Sequence, residues 1–403
     1  MRNIGKADIL NGIAYDLRGP ALAEAERLES QGIKILKLNT GNPGAFGFTT
    51  PPSVLAAVQS NLHRALPYAQ TKGLLAAREA ITAYYGDKGV DISPDYIYTG
   101  NGVSELIHMT MQAFLNDGDE LLIPTPDYPL WTAATKLYGG EPVHYMCDED
   151  ANWQPNIEDM RSKITASTRG IVIINPNNPT GVLYGREILE QIAELAREHD
   201  LMIFADEIYE SLIMDCKEHV PMSIIAPDLP MVSYGGLSKS HMLAGYRAGW
   251  MYLTGDKSMM RGYIEGLDLL SSTRLCSNVP AQYAIAPALS NFDELKAMMA
   301  PGGRVYEQRE CIMSAIDATP GLTAVRPDAA FYIFPKLDAA KFNITDDEQF
   351  VFDLLRAKHI LLVRGRGFNW AEPDHFRIVY LPTVEELGAL ADSLSSFLED
   401  YRQ

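Results

Sequence analysis

Between about residues 53 and 254, short apolar runs alternate with helical patterns, and this alternation limits what the chain can fold into. The runs are Tyr96-Ile97-Tyr98-Thr99, Glu120-Leu121-Leu122-Ile123, Gly170-Ile171-Val172-Ile173-Ile174, Leu201-Met202-Ile203-Phe204-Ala205 and Met231-Val232-Ser233-Tyr234. Residues 54–62, 74–85, 103–115 and 186–198 carry apolar positions at helical spacing. Strands this short and this apolar are buried on both faces, and helices between them supply the cover. The expected architecture is α/β: a large domain with a mostly parallel sheet flanked by helices, over residues 45–290.

The remainder reads differently. Strand patterns at 330–334, 359–363 and 375–381 mix with amphipathic helices at 347–357 and 384–401, preceded by a long helix around 283–289 and 307–317. Residues 291–403 are therefore expected to form a smaller α+β domain, joined by residues 1–44 as an N-terminal arm. A chain of 403 residues, 47% hydrophobic, is long enough for both cores. Its net charge of −18 argues against nucleic acid or an anionic membrane as a general partner. No apolar run is long enough to span a bilayer, and Met1-Arg2-Asn3-Ile4-Gly5-Lys6 lacks a signal-peptide core, which fits a cytoplasmic enzyme. Cys147, Cys216, Cys276 and Cys311 lie far apart. They suit no metal site and are expected to be reduced, mostly buried thiols.

In a parallel sheet ligands gather at the carboxyl ends of the strands. The residues after the apolar runs are Gly102-Val103-Ser104, Asn175-Pro176-Asn177-Asn178-Pro179-Thr180-Gly181, Asp206-Glu207-Ile208-Tyr209 and Ser238-Lys239. Lys239 follows Gly235-Gly236-Leu237-Ser238, and Arg247 comes eight residues later among small residues. A lysine that forms an imine with an aldehyde cofactor needs thin surroundings, because the cofactor ring lies close to the backbone.

That reading points to pyridoxal 5′-phosphate, and the neighbouring residues supply partners for it. Asp206 can pair with a protonated pyridine nitrogen and keep the ring electron-withdrawing; a turn or helix cap is the competing reading. Tyr209 and Asn178 can donate to the cofactor's phenolate oxygen. Gly102-Val103-Ser104 opens a helix, where backbone N–H groups face an anion, and Ser238 and Arg247 add a hydroxyl and a bidentate cation for the phosphate. Glu105 occupies the place of the third glycine of a dinucleotide fingerprint, which weakens a nicotinamide reading. Tyr128, in Pro126-Asp127-Tyr128-Pro129, can stack on the pyridine face, while Trp131 and Tyr138 read as core. Arg377 can clamp a substrate α-carboxylate; a solvated strand arginine is its competing reading.

Asn175-Pro-x-Asn-Pro-Thr-Gly, Asp206-Glu-x-Tyr, Ser238-Lys239-x₇-Arg247 and the distant Arg377 together resemble the fold-type I, class I aminotransferases, over essentially the whole chain. Within them the chain is similar to the glutamate–pyruvate (alanine) aminotransferases, through Tyr15-Asp16-Leu17-Arg18-Gly19-Pro20, Asp127-Tyr128-Pro129-Leu130-Trp131 and Leu275-Cys276-Ser277-Asn278. The resemblance implies a homodimer acting on amino acids and 2-oxo acids, with Lys239 as anchor and proton carrier in a two-half-reaction, ping-pong cycle. It implies that Tyr68 meets the phosphate of the neighbouring subunit and that Gly41 lies at the substrate carboxylate. Arg18 is then the candidate for a distal carboxylate, with Tyr15 and Tyr128 shaping the small side of the pocket. The chain departs from similar enzymes at Ser240-His241-Met242, where Thr-Tyr-Arg is common. Another amino-acid specificity, a β-lyase on the same residues, and a non-catalytic cofactor-binding regulator remain alternatives.

Overall fold

A computed structural model describes residues 4–13, 15 and 19–403. Its centre is an eight-stranded sheet whose strands we label β1 to β8 in chain order: Ile97–Asn101, Glu120–Thr125, Glu141–Asp148, Gln154–Pro155, Thr168–Ile174, Met202–Asp206, Met231–Gly236 and Ala248–Thr254. The spatial order is β1-β8-β7-β6-β5-β2-β3-β4. The β3-β2-β5-β6-β7 block is parallel throughout; β8 runs against both β7 and β1, and β4 against β3.

The apolar runs are buried because both faces are covered. Leu122, Ile171, Ile173 and Ile203 join one cluster with the helix Arg186–Glu198; Leu121, Val172 and Phe204 join another with the helix Val103–Phe114. Each fully buried Leu, Ile or Phe contributes on the order of 1.5–3 kcal/mol, so these two layers hold the sheet rigid. Register then lines up the functional edge. Ile174 of β5 pairs with Asp206 of β6, and Asp206 pairs with Tyr234 of β7. The residues just beyond that row, from Asn175 to Lys239, emerge together at the carboxyl ends of the strands.

A further core lies outside the sheet. Phe331, Ile333, Phe350, Leu354, Phe376, Ile378, Leu387, Leu390 and Leu394 pack with Val305, Ile312 and Ile316. The helix Val384–Asp400 starts on a reciprocal cap, Thr383 with Glu386, and Asp347–Lys358 starts on the Asp346 side chain. The N-terminal segment packs here: Leu36–Lys37 pairs in parallel with Ile360–Leu361, and Ala25 and Leu28 contact Leu355 and Leu361.

Several expectations need correction. The long helix is four pieces, Val279–Gln282, Ile285–Leu289, Asp293–Met299 and Arg304–Ala318. Proline and glycine contribute to the division: Pro287 lacks the donor that would tie the second piece back to the first, and Pro301-Gly302-Gly303 turns the chain, with Gly302 at φ +82°. The C-terminal strands are shorter than expected, at Tyr332–Ile333, Ile360–Leu361, Val363–Arg364 and Phe376–Val379. Left-handed residues at Ala330 and His359 delay two of them. β3, the two-residue β4 and β8 are absent from the sequence expectation. β3 alternates polar with apolar residues and is only partly buried, so no continuous apolar run marks it. Of the four thiols only Cys147 is buried; Cys216 is exposed and Cys276 and Cys311 are intermediate. Cys216 sits in a left-handed turn outside the core, where burial preference has no hold.

Candidate active site

Lys239 sits on a one-turn helix, Leu237–Ser240, directly after β7. Its Nζ donates to the Gly41 carbonyl at 2.7 Å and lies 5.7 Å from the centre of the Phe331 ring. The two glycines at the end of β7 are required by contacts within the protein itself. A Cβ on Gly235 would lie 2.6 Å from the Trp250 indole nitrogen and 2.7 Å from the Tyr85 hydroxyl; one on Gly236 would lie 3.0 Å from the Ala248 carbonyl. Packing of β7 on its protein neighbours by itself requires both residues to be small.

Asp206 ends β6 and is 3% exposed. Oδ2 accepts the Trp131 indole N–H at 3.1 Å, and Oδ1 accepts the Ile208 amide at 3.4 Å. Burial pushes its carboxyl up to about 6, although both hydrogen bonds favour the charged form. Among the described residues no cation pairs with it. The Ile208 contact is the turn cap of the competing reading, but it leaves the buried charge uncompensated. Trp131 is fully buried against Phe204 and Tyr234, as expected of core, but its N–H also orients this carboxylate, which the sequence did not reveal.

The turn at 175–181 divides its labour. Asn175 Oδ1 accepts the Tyr184 amide, and Asn177 Oδ1 accepts the Thr180 amide and hydroxyl. Asn178 is not used to hold the turn; its Oδ1 accepts Arg377 Nη1 at 2.9 Å. Arg377 is 2% exposed, which overturns the solvated-strand alternative. Nη2 donates to the Asn39 carbonyl, Nε has no partner, and the guanidinium lies over the Tyr332 ring at 4.6 Å and the Phe368 ring at 4.7 Å. Burial lowers its pKa, and four tyrosines, Tyr332, Tyr209, Tyr128 and Tyr15, act in the opposite direction. Among the described residues no carboxylate pairs with Arg377, so the clamp is open to an incoming one.

The opposite end is an anion cradle. Gly102, at φ +84°, introduces the helix Val103–Phe114. A Cβ there would fall 2.0 Å from Arg247 Nη2, so only glycine lets that guanidinium reach the helix start. Arg247, itself left-handed at φ 59°, donates to the Ala244 carbonyl at 2.8 Å, the Asn101 carbonyl at 3.1 Å and the Ser238 hydroxyl at 3.4 Å. Glu105 is drawn back by the Asn101 amide and neutralised by Arg274, so its charge does not oppose an anion at Val103 and Ser104.

Between the two ends lie the aromatic residues. Tyr128 and Tyr15 share a hydroxyl contact at 2.9 Å. Tyr209, 4% exposed, donates to the Tyr332 hydroxyl at 3.1 Å. Gly41 backs this pair, since a Cβ there would lie 2.2 Å from the Tyr332 hydroxyl. The sequence marks Tyr332 only as a strand residue, because no local pattern signals a contact made across the fold. Two candidates stand apart. Tyr68 is 76% exposed with no hydrogen-bond partner among the described residues, and Arg18 lies outside them. The loop carrying Tyr68 is held from behind by buried Arg78, which donates to the Gly73 and Pro94 carbonyls.

These residues fit a flat group with a cationic ring nitrogen at one end and a phosphate at the other. The uncompensated carboxylate of Asp206 asks for a cation, and Gly102, Ser104, Ser238 and Arg247 together ask for an anion. Fold and site define an α/β enzyme in which a lysine amine lies between a buried carboxylate, an anion cradle and an open arginine clamp. Residues 33–394 match the family of class I and II aminotransferases, and the chain belongs to it. It is 54% identical to a glutamate–pyruvate aminotransferase of Haemophilus influenzae, with all of both chains covered. An alanine aminotransferase of Mycobacterium tuberculosis is 48% identical, with 98% of this chain and 92% of the relative covered. A solved aminotransferase structure from Escherichia coli superposes with a TM-score of 0.98 at 51% identity over the whole of both chains. The fold is therefore that of the fold-type I aminotransferases.

Proposed function

We propose that the chain is a pyridoxal 5′-phosphate-dependent aminotransferase that exchanges the amino group between L-alanine and 2-oxoglutarate, giving pyruvate and L-glutamate, and the reverse. The observation that carries the cofactor is Asp206, a buried carboxylate without a cation at the carboxyl edge of the sheet. The choice of alanine and glutamate is supported by the full-length relatives that bear those names.

When bound, the cofactor supplies an aldehyde that accepts an amino group and a cationic ring that draws electrons from the substrate Cα. The chain does the rest. Lys239 Nζ holds the cofactor, then removes and returns the Cα proton as a general base and acid. Asp206 keeps the ring nitrogen protonated, with Trp131 holding the carboxylate in place. Gly102, Val103, Ser104, Ser238 and Arg247 hold the phosphate. Tyr209 and Asn178 donate to the phenolate oxygen, and Tyr128 covers the ring. Arg377, with Asn178 and the Gly41 loop, receives the α-carboxylate. Tyr15 and Tyr128 narrow the pocket, and Arg18 takes the distal carboxylate of glutamate.

The division into residues 45–290 and 1–44 with 291–403 is part of this proposal, supported by the pairing of Leu36–Lys37 with Ile360–Leu361. So is a cytoplasmic homodimer. Tyr68 and Leu66, 76% and 89% exposed, mark a surface that a second copy covers, bringing Tyr68 to the partner's phosphate. No helix among the described residues is long and apolar enough to cross a membrane.

The test is a donor screen on holoenzyme without an acceptor. Alanine should convert the cofactor absorbance to that of its aminated form with one pyruvate released per site. If alanine leaves the band unchanged while another amino acid converts it, the alanine assignment falls. Arg18→Ala should raise KM for glutamate and spare alanine; unchanged glutamate turnover removes Arg18 from the site.

A further inference from the structure

Tyr332 is the best connected of the residues to which the reaction assigns no task. It is 2% exposed, on the short strand beside the one carrying Arg377; Tyr332 pairs with Val379, two residues beyond Arg377, so both side chains leave the same face. Its ring lies under the Arg377 guanidinium at 4.6 Å. Its hydroxyl accepts from Tyr209 at 3.1 Å and fills the space that a Gly41 side chain would need. The Tyr209 and Tyr332 rings meet edge-on, 5.5 Å apart and inclined by 85°. One side chain thus touches the proposed phenolate donor, the carboxylate clamp and the loop that receives the Lys239 amine.

A tyrosine hydroxyl has one hydrogen. The Tyr209 hydrogen that goes to Tyr332 is withheld from the cofactor's phenolate oxygen. The Tyr332 hydrogen is not used in that contact and is available on the Arg377 side. A carboxylate bound to Arg377 attracts it, and a hydroxyl that donates strongly becomes a better acceptor. The chain Tyr209 to Tyr332 to carboxylate then polarises away from the phenolate. We infer that Tyr332 is a positioning residue, which shares the Tyr209 hydrogen with the cofactor's phenolate oxygen and tilts that share when a carboxylate occupies Arg377.

The inference rests on the cofactor placement proposed above and extends it. It makes arrival of the substrate carboxylate favour the protonated cofactor, the form ready to exchange its amine, and it does so through a neutral pair rather than through charge alone. Asn178, the other proposed donor to that oxygen, accepts from Arg377 and gives a second route. The two routes are separable because Tyr332→Phe removes a hydroxyl and leaves the guanidinium, the ring beneath it and Asn178 unchanged.

The experiment titrates the absorbance of holoenzyme with pH, alone and saturated with propanoate, a three-carbon carboxylate that cannot donate an amine. Wild type, Tyr332→Phe and Tyr209→Phe are compared. For Tyr332→Phe the free midpoint should fall by roughly half a pH unit, the scale of one contested hydrogen bond, and the rise caused by propanoate should shrink. For Tyr209→Phe the midpoint should rise. If Tyr209→Phe shifts the midpoint and Tyr332→Phe matches wild type with and without propanoate, the role of Tyr332 is overturned. If Tyr209→Phe leaves the midpoint in place, the cofactor placement fails, and the Tyr332 role fails with it. A lower turnover with unmoved midpoints marks a structural contribution only and also overturns the inference.

Discussion

Burial decides what Asp206 can do. Without a cationic partner its carboxyl titrates at about 6 because burial disfavours the charge. It is ionised above that value and neutral below it, and a cationic ring nitrogen needs the ionised form. Cofactor affinity of the apoenzyme should therefore weaken as pH falls through about 6, and Asp206→Asn should flatten that dependence while reducing kcat by about 100-fold or more. Absorbance titration of cofactor into apoenzyme across pH checks the first; a wild-type-like profile in the variant would remove Asp206 from the ring nitrogen. Arg377→Lys tests the clamp. Lysine cannot reproduce the fork, so KM for both amino acid and 2-oxo acid should rise by about 10- to 100-fold, more than kcat falls, as steady-state kinetics would show. Lys239, Asp206, Asn178 and Arg377 were legible because their types and spacings carry chemistry. Trp131 and Tyr332 were not, because their partners Asp206 and Tyr209 lie 75 and 123 residues away. The glycines before Lys239 show the same limit: smallness was legible, and the Trp250 and Tyr85 side chains that require it were not.

At the level of elements, five apolar runs sufficed to place a parallel sheet, because strands buried on both faces leave a continuous signal. β3 escaped notice since Pro142, His144 and Met146 interrupt its burial. β8 escaped because its first residues read as part of the motif around Lys239. Yet β8 shapes the site: a Cβ on Gly249 would lie 2.7 Å from the Val103 amide, so this reversed strand presses on the helix start that forms the anion cradle. The cradle thus depends on a strand, a helix and the Arg247 turn meeting without side chains between them. Gly102→Ala combines a strained positive φ with a methyl 2.0 Å from Arg247 Nη2. The guanidinium must leave, and the phosphate loses its bidentate cation. The variant should fold, because the helix behind Gly102 keeps Leu106, Ile107 and Met111 buried, but should retain cofactor at least about 10-fold less tightly, the loss of roughly one charge-assisted hydrogen bond. Equilibrium dialysis of the holoenzyme measures this, and undiminished retention would contradict the cradle.

Across the whole molecule, Arg377 belongs to the C-terminal part and Asp206 and Lys239 to the sheet, so the two parts must be held in register. One contact that does so surrounds His375, two residues before Arg377 and immediately ahead of its strand. The ring is fully buried, stacked on Phe334 at 4.8 Å and edged by Trp153 and Trp370 at 5.5 and 5.3 Å. Asp374 lies 2.7 Å from Nδ1 and Glu149, from beyond β3, lies 3.4 Å from Nε2, with Lys336 bridging the same two carboxylates. Burial opposes its charge, but Asp374 and Glu149 outweigh burial and raise the imidazole pKa. A raised folded value means stability that is fully present below the unfolded pKa, near 6.5, and is lost as pH rises through the folded one. His375→Gln removes the buried cation and leaves Lys336 alone with both carboxylates. It should destabilise by about 2 kcal/mol at pH 6, the scale of a hydrogen bond to a charged group, and by less at a pH high enough to discharge the wild-type ring. Thermal midpoints of both proteins at the two pH values decide it: a gap that stays constant would mean that His375 holds the two parts by packing and not by charge. If the gap does narrow, KM for amino acid in the wild type should rise over the same pH interval, because the strand bearing Arg377 is anchored to the sheet through this ring.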